Sequence, residues 1–103
     1  MSEVVVRGVR LPVRTPVAAA LHRRVVELTQ NPADAALLAH PGALMSLSFD
    51  ELEPEQAARI GRAMVVAAEE VRRPYSVPGA PPADVEVAAQ LAAVGMILQR
   101  TFG

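Results

Sequence analysis

The most informative stretch of this chain is VAAQLAAVGMIL, residues 87–98. A helix at the surface of a small protein normally carries one apolar stripe and one polar face. This stretch is apolar nearly all round, with Gln90 as the main exception, and it is too short to span a bilayer. A helix of this kind has to be covered on every side, so we expect more than one surface to pack against it.

Two apolar faces can be drawn on this helix, which the pattern predicts over residues 83–101. The first face carries Val87, Leu91, Val94 and Leu98, and the second carries Ala88, Ala92 and Met96. We expect one face to serve the core of the chain and the other to serve an interface. The sequence does not assign the two roles, so the interface candidates are Val87, Leu91, Val94, Met96 and Leu98.

A second long helix is predicted over residues 54–72, immediately before a proline-rich connector. Apolar residues recur along it at helical spacing, and Pro54 is typical of a helix start. The connector, residues 74–82, holds four of the nine prolines of the chain and is expected to be semi-rigid. Its length allows the two long helices to be antiparallel, parallel or exchanged between subunits.

Two extended segments are predicted in the first half of the chain. Residues 3–13 show the alternation of a half-buried strand, in which Gly8 marks a bulge or a bend and Pro12 favours a sheet edge. Residues 44–49 carry apolar side chains at every second position and predict another short strand.

Two helices are predicted between these strands. Thr15-Pro16 combines an N-cap residue with a proline in the first turn and begins a helix that runs to about Gln30. Asn31-Pro32 repeats the signal and begins a short helix over residues 32–39.

These elements predict a single small domain over residues 1–103, mainly α with a small β component (α+β). The predicted order is a short N-terminal strand, two helices, a short strand and two long C-terminal helices. Because a two-stranded sheet is marginal alone, we expect it to pack on the helices or to pair across a dimer.

The composition excludes several classes of chemistry. The chain has no Cys, and all ten of its basic residues are Arg, so it has no thiolate nucleophile, disulfide or Schiff-base lysine. His22 and His40 lack the spacing of a metal site. We therefore expect no catalytic, cofactor-binding or metal-binding residue, and no enzymatic activity. The acidic cluster, which falls where a helix begins and so favours capping, consists of Asp50, Glu51, Glu53 and Glu55.

Charge is unevenly distributed, although the net charge is only −1. Residues 1–30 carry a net charge of +3 and residues 31–58 one of −5. We expect the basic start and the acidic middle to face each other within the fold or across an oligomer. In the helix over residues 54–72, Glu55–Arg59 and Glu69–Arg73 have the i,i+4 spacing of favourable ion pairs.

Arg7, Arg10 and Arg14 on the first strand indicate an alternative function. Arginines on an edge strand either guard against aggregation or contact phosphates. VRLP at residues 9–12, followed by a helix, resembles the ribbon-helix-helix repressors, whose paired strands enter the major groove. The resemblance ends at the short second helix, which Pro41 stops and which carries no basic residue, so it does not assign the family. The alternative is a dimeric DNA-binding regulator or an antitoxin-like protein.

The leading prediction is a non-enzymatic interaction protein: a small adaptor, accessory or regulatory subunit. It would act by homo-oligomerisation, with a dimer favoured, or by docking on a protein partner. A helical enzyme that binds a small molecule between its helices is the third hypothesis. We expect a cytoplasmic location and no membrane contact, and the Ala-, Arg- and Pro-rich composition indicates a bacterial gene.

Overall fold

The computed structural model describes residues 2–40 and 48–103, and these ranges contain four α-helices and a two-stranded antiparallel sheet. In chain order the elements are β1 (Ser2–Val6), β2 (Val9–Val13), α1 (Thr15–Leu28), α2 (Pro32–Leu38), α3 (Pro54–Arg72) and α4 (Pro82–Phe102), with short 3₁₀ turns at Phe49–Glu51 and Arg73–Tyr75. The predicted class, mainly α with a small β component, is confirmed.

The N-terminal segment forms a β-hairpin, whereas the sequence predicted one interrupted strand over residues 3–13. β1 and β2 pair antiparallel, and the two residues between them, Arg7 and Gly8, have φ values of 49° and 76°. Positive φ at both central residues is what a tight type I′ hairpin turn requires. The bend expected at Gly8 is therefore a full reversal of the chain.

Pro12 fits this hairpin because of its position relative to the turn. Val6 and Val9 close the two-residue turn as a hydrogen-bonded pair, and hydrogen-bonded and non-hydrogen-bonded pairs alternate from there. The pair Glu3–Pro12 falls at a non-hydrogen-bonded position. The N–H that proline lacks would point away from β1, so the ladder loses no bond.

The second predicted strand, over residues 44–49, lies largely outside the described residues. Of its members only Ser48 and Phe49 are described. Ser48 forms an isolated parallel bridge with Val5 of β1, and Phe49 begins a 3₁₀ turn instead of ending a strand. The Phe49 side chain is buried, and its ring centre lies 5.5 Å from that of Phe102. Ser48 therefore lies beside β1, and Phe49 reaches the end of α4.

Helices α1 and α2 form close to their predicted positions, but their starts differ in kind. The sequence predicted Thr15 as the cap of α1, whereas Arg14 takes that position and its carbonyl accepts the Ala18 N–H at 2.8 Å. Asn31 does cap α2, because its side chain accepts the Ala33 N–H at 2.9 Å. The proline in each first turn is compatible with either cap.

Helices α3 and α4 run antiparallel and form the centre of the molecule. The end of α4 lies beside the first half of α3, where Arg62 Nε donates to the Phe102 carbonyl at 3.1 Å. The Phe102 ring packs on Gly61 of α3. Of the three arrangements that the connector allows, the structure therefore shows the antiparallel one, within a single chain.

The Phe102 ring makes Gly61 sensitive to substitution. A Cβ on Gly61 would stand 3.0–3.1 Å from the Cε2 and Cγ atoms of Phe102, and closer still to Cδ2. We expect Gly61→Ala to lower the free energy of unfolding by about 1–3 kcal/mol, because the ring also packs on Phe49 and cannot shift without losing that contact. Urea denaturation followed by circular dichroism measures the change.

Gly95→Ala is the matched control, because Gly95 also lies inside a long helix. Outside that helix, no described atom lies within 4 Å of the Cβ it would gain. Helix propensity alone then stabilises the variant by about 0.5–1 kcal/mol. Equal effects of the two substitutions would contradict a tight contact between Gly61 and Phe102.

Candidate functional site

Helix α4 presents different apolar side chains on its two sides. The inner side is the first predicted face, and each of its members is 4% exposed or less. These residues are Val87, Leu91, Val94 and Leu98. They pack into the core of the single chain, whereas the fifth interface candidate, Met96, lies on the opposite side with 51% of its surface exposed.

The outer side of α4 carries a second apolar row, which we call the outer seam. Its members are Val85, Ala89, Ala92 and Met96, and all four are exposed. Val85 is 55% exposed, the largest fraction among the exposed large apolar residues. The spacing of four, three and four residues places them along one side of the helix, as in the contact positions of a coiled coil. Ala88, predicted for this face, is half-buried at its margin.

A groove of about 380 Å³ between α3 and α4 adjoins the outer seam. Ala92 and Met96 belong to both surfaces. Gly95 leaves open space on the α4 side. The α3 side contributes Val65, Ala68, Glu69 and Arg72. The groove is therefore an apolar extension of the seam with two charged residues at its edge.

The charged edge of the groove is an ion pair within α3. Arg72 Nη2 donates to Glu69 Oε2 at 2.6 Å, and this hydrogen bond lowers the pKa of Glu69 below its ordinary value. The sequence predicted Arg73 as the partner of Glu69, one residue further along. Because these charges neutralise each other, the groove presents no unbalanced charge to a ligand.

Two opposite charges flank the ends of the outer seam. Glu86 lies near the start of α4 and Arg100 near its end, both exposed and both on the side of the seam away from the groove. Glu86 accepts a hydrogen bond from Arg14 at 3.2 Å and keeps half of its side chain exposed. The outer face of α4 therefore has an apolar middle with an acid at one end and a base at the other.

The structure gives each of the three arginines of the alternative function a contact with an acidic residue of the same chain. Arg10 lies 3.7 Å from Glu3 across the hairpin, and Arg14 pairs with Glu86 of α4. Arg7 sits at the tip, where its backbone N–H donates to Asp50 Oδ1 at 2.6 Å. Arg10 and Arg14 therefore each have an acidic neighbour within the chain.

The histidines and Asp50, considered above as possible reactive or metal-binding residues, have structural surroundings. His22 Nε2 lies 2.7 Å from the Leu38 carbonyl and links α1 to the end of α2, while His40 is exposed just beyond α2. Asp50 accepts the N–H groups of both hairpin turn residues, including that of Gly8 at 2.8 Å. Within residues 2–40 and 48–103, no cluster of His, Asp and Glu is arranged to hold a metal ion.

Asp34 is a buried charged residue that the sequence analysis treated only as a favourable first-turn acid. Its side chain is about 3% exposed, and Arg59 of α3 donates to it through two nitrogens at 2.8 and 2.9 Å. Gln56 donates a third hydrogen bond at 3.2 Å. The Arg59 contact lowers the pKa of Asp34, against the opposing effect of burial. The i,i+4 spacing predicted that Arg59 would pair with Glu55 of the same helix. In the structure Arg59 of α3 pairs instead with Asp34 of α2.

A comparison with protein families, curated proteins and solved structures finds no match to this chain. None of the described helices is both long enough and apolar enough to cross a membrane.

The Asp34–Arg59 pair makes stability depend on pH in the acid range. Because the folded-state pKa of Asp34 is lowered, its contribution is complete above its unfolded pKa, about 3.9, and is lost as the pH falls through the folded value. We expect Asp34→Asn to lower the free energy of unfolding by about 1–3 kcal/mol at pH 7. The difference in the free energy of unfolding between native protein and Asp34→Asn should become smaller below about pH 4. Urea denaturation at a series of pH values measures this difference.

Asp84→Asn is the control for loss of a helix-start carboxylate, because Asp84 is a half-buried acid in the first turn of α4. This substitution should lower the free energy of unfolding by less than about 1 kcal/mol at pH 7. The proposed effect of the ion pair would be refuted if the difference in the free energy of unfolding between native protein and Asp34→Asn stayed constant from pH 7 to pH 2.

Proposed function

We propose that this chain is a small non-enzymatic interaction protein that self-associates through the outer seam of α4. One observation carries the proposal: the four seam residues are apolar, exposed and aligned on one side of a long helix. Single exposed apolar residues are ordinary on protein surfaces. An aligned row with coiled-coil spacing is the pattern by which helices bind other helices.

The inner side of α4 supports this interpretation, because the fold is complete without the outer seam. The residues from Val87 to Leu98 that face inward already form the core contacts of α4. Val85 and Met96 lie outside that core, and more than half of the surface of each is exposed. Covering them is favourable at about 25 cal/mol per Å² of apolar surface. Within residues 2–40 and 48–103 they remain exposed, which leaves them open to a second molecule.

A second copy of the chain is the partner that the proposal names. The outer face of α4 has a negative charge, Glu86, at one end and a positive charge, Arg100, at the other. Such a face is complementary to itself when it is reversed, so it suits an isologous dimer. The cytoplasmic location expected from the sequence stays a prediction.

The non-enzymatic part of the proposal follows from how the reactive side chains are used. His22 and Asp34 link neighbouring helices, and Asp50 holds the hairpin turn. The groove between α3 and α4 offers apolar side chains and a neutralised ion pair, which suit packing better than proton transfer.

Met96→Glu should shift the native protein from dimer to monomer, because a carboxylate in the middle of an apolar interface loses its hydration without gaining a partner. We expect the dimer dissociation constant to rise at least about tenfold. Size-exclusion chromatography with light scattering and refractive-index detection measures the mass across a concentration series. Refractive index is needed because the chain has one Tyr and no Trp.

Val66→Glu is the matched control. Val66 is also a large apolar residue in the middle of a long helix, and it is 47% exposed, close to the 51% of Met96. It lies outside the seam and the groove, so its variant should keep the native mass. A native protein that is monomeric at every concentration, or an equal effect of the two substitutions, would refute the proposal.

A further inference from the structure

We infer that two copies of the chain pair their α4 helices antiparallel, about a two-fold axis near Ala92, with Glu86 of each copy beside Arg100 of the other. This inference rests on the proposed function, because it uses the outer seam as the interface. It adds the direction, the register and the charged contacts of the pairing.

The spacing of the seam is nearly symmetric about Ala92. Val85 lies seven residues before it and Gln99, exposed on the same side, lies seven residues after it. Ala89 lies three residues before it and Met96 four residues after it. In an antiparallel pair centred on Ala92, each Met96 therefore meets the small Ala89 of the other copy.

This register matches large side chains with small ones. Ala92 of one copy faces Ala92 of the other, and two such small residues allow the helix backbones to approach closely. Met96, which is long and flexible, then fills the space over the alanine opposite it. In a parallel pair with the same seam, Met96 would instead meet Met96 and leave Ala89 facing Ala89.

The flanking charges favour the antiparallel direction. A two-fold axis that relates antiparallel helices brings the same flank of both helices together. Glu86 and Arg100 share a flank, six residues before and eight residues after Ala92, so each acid comes within about 3 Å, along the helix axis, of the other copy's base. In a parallel pair, Glu86 and Arg100 would be separated by fourteen residues, about 21 Å along the axis.

Engineered cysteines can test this geometry without background, because the chain has no Cys. Ala92→Cys should form a disulfide-linked dimer under mild oxidation, since the two sulfurs meet near the axis. Val85→Cys alone should stay uncrosslinked, because its two copies lie about 21 Å apart. A chain that carries both Val85→Cys and Gln99→Cys should form disulfide-linked dimers. In this register position 85 of each copy lies opposite position 99 of the other.

The outcomes separate the arrangement from the function. Non-reducing electrophoresis reads the crosslinks, and light scattering on the same variants under reducing conditions reads the mass. A dimer by mass in which Ala92→Cys does not crosslink, or in which Val85→Cys crosslinks alone, overturns the antiparallel pairing and leaves self-association standing. A monomer by mass for the native chain overturns both.

Charge reversal gives a second, independent readout. Arg100→Glu places two acids together at each end of the interface and should raise the dimer dissociation constant by about 3- to 10-fold at low salt. Adding Glu86→Arg to that variant restores opposite charges across the interface. The dimer dissociation constant should then return most of the way to the native value. If the double variant dimerises no better than Arg100→Glu alone, the proposed contact between Glu86 and Arg100 is wrong.

Discussion

The rest of the structure depends on the packing of α4 against α3. Small residues on α3, among them Ala57, Gly61 and Ala68, are buried at the core and leave room for the larger side chains around them. At the end of this contact the Phe102 ring occupies the space that a side chain on Gly61 would need. The other elements pack against this pair of helices, α1 against α3 and β2 against α4. The hairpin and α1 thus depend on a helix pair formed by the last half of the chain.

Polar contacts then connect α1, α2 and the residue that follows β2 to the two long helices. Arg24 of α1 bonds Glu70 of α3, Asp34 of α2 bonds Arg59 of α3, and Arg14 beside β2 bonds Glu86 of α4. Exposed pairs of this kind add little stability each, so their main effect is to fix how the elements are oriented. The buried carboxylate of Asp34 is different, because removing a partner from it leaves a charge without compensation.

The sequence predicted the elements better than their partners. Residues 54–72 were placed correctly because a proline start and an apolar repeat are local signals, and the ends of a helix depend on little else. The hairpin turn was missed because Arg7 is a rare residue at positive φ, and the adjacent Gly8 alone does not distinguish a bend from a reversal. The basic start was expected to face the acidic middle, yet Arg14 and Arg24 pair chiefly with acids of the last third. Such partners lie 46 to 72 residues away, where no local spacing reports them.

The two faces of α4 differ in the side chains they carry. The inner face carries branched Val and Leu side chains, which fill a core with few rotamers, whereas the outer seam combines two alanines with Val85 and Met96. Because alanines bury little area, an interface built on this seam would be small in comparison with the roughly 800 Å² per partner of stable complexes. The described residues already form one buried core without a second copy. The proposed dimer would therefore depend on protein concentration, and the end charges Glu86 and Arg100 would contribute most to the direction of pairing.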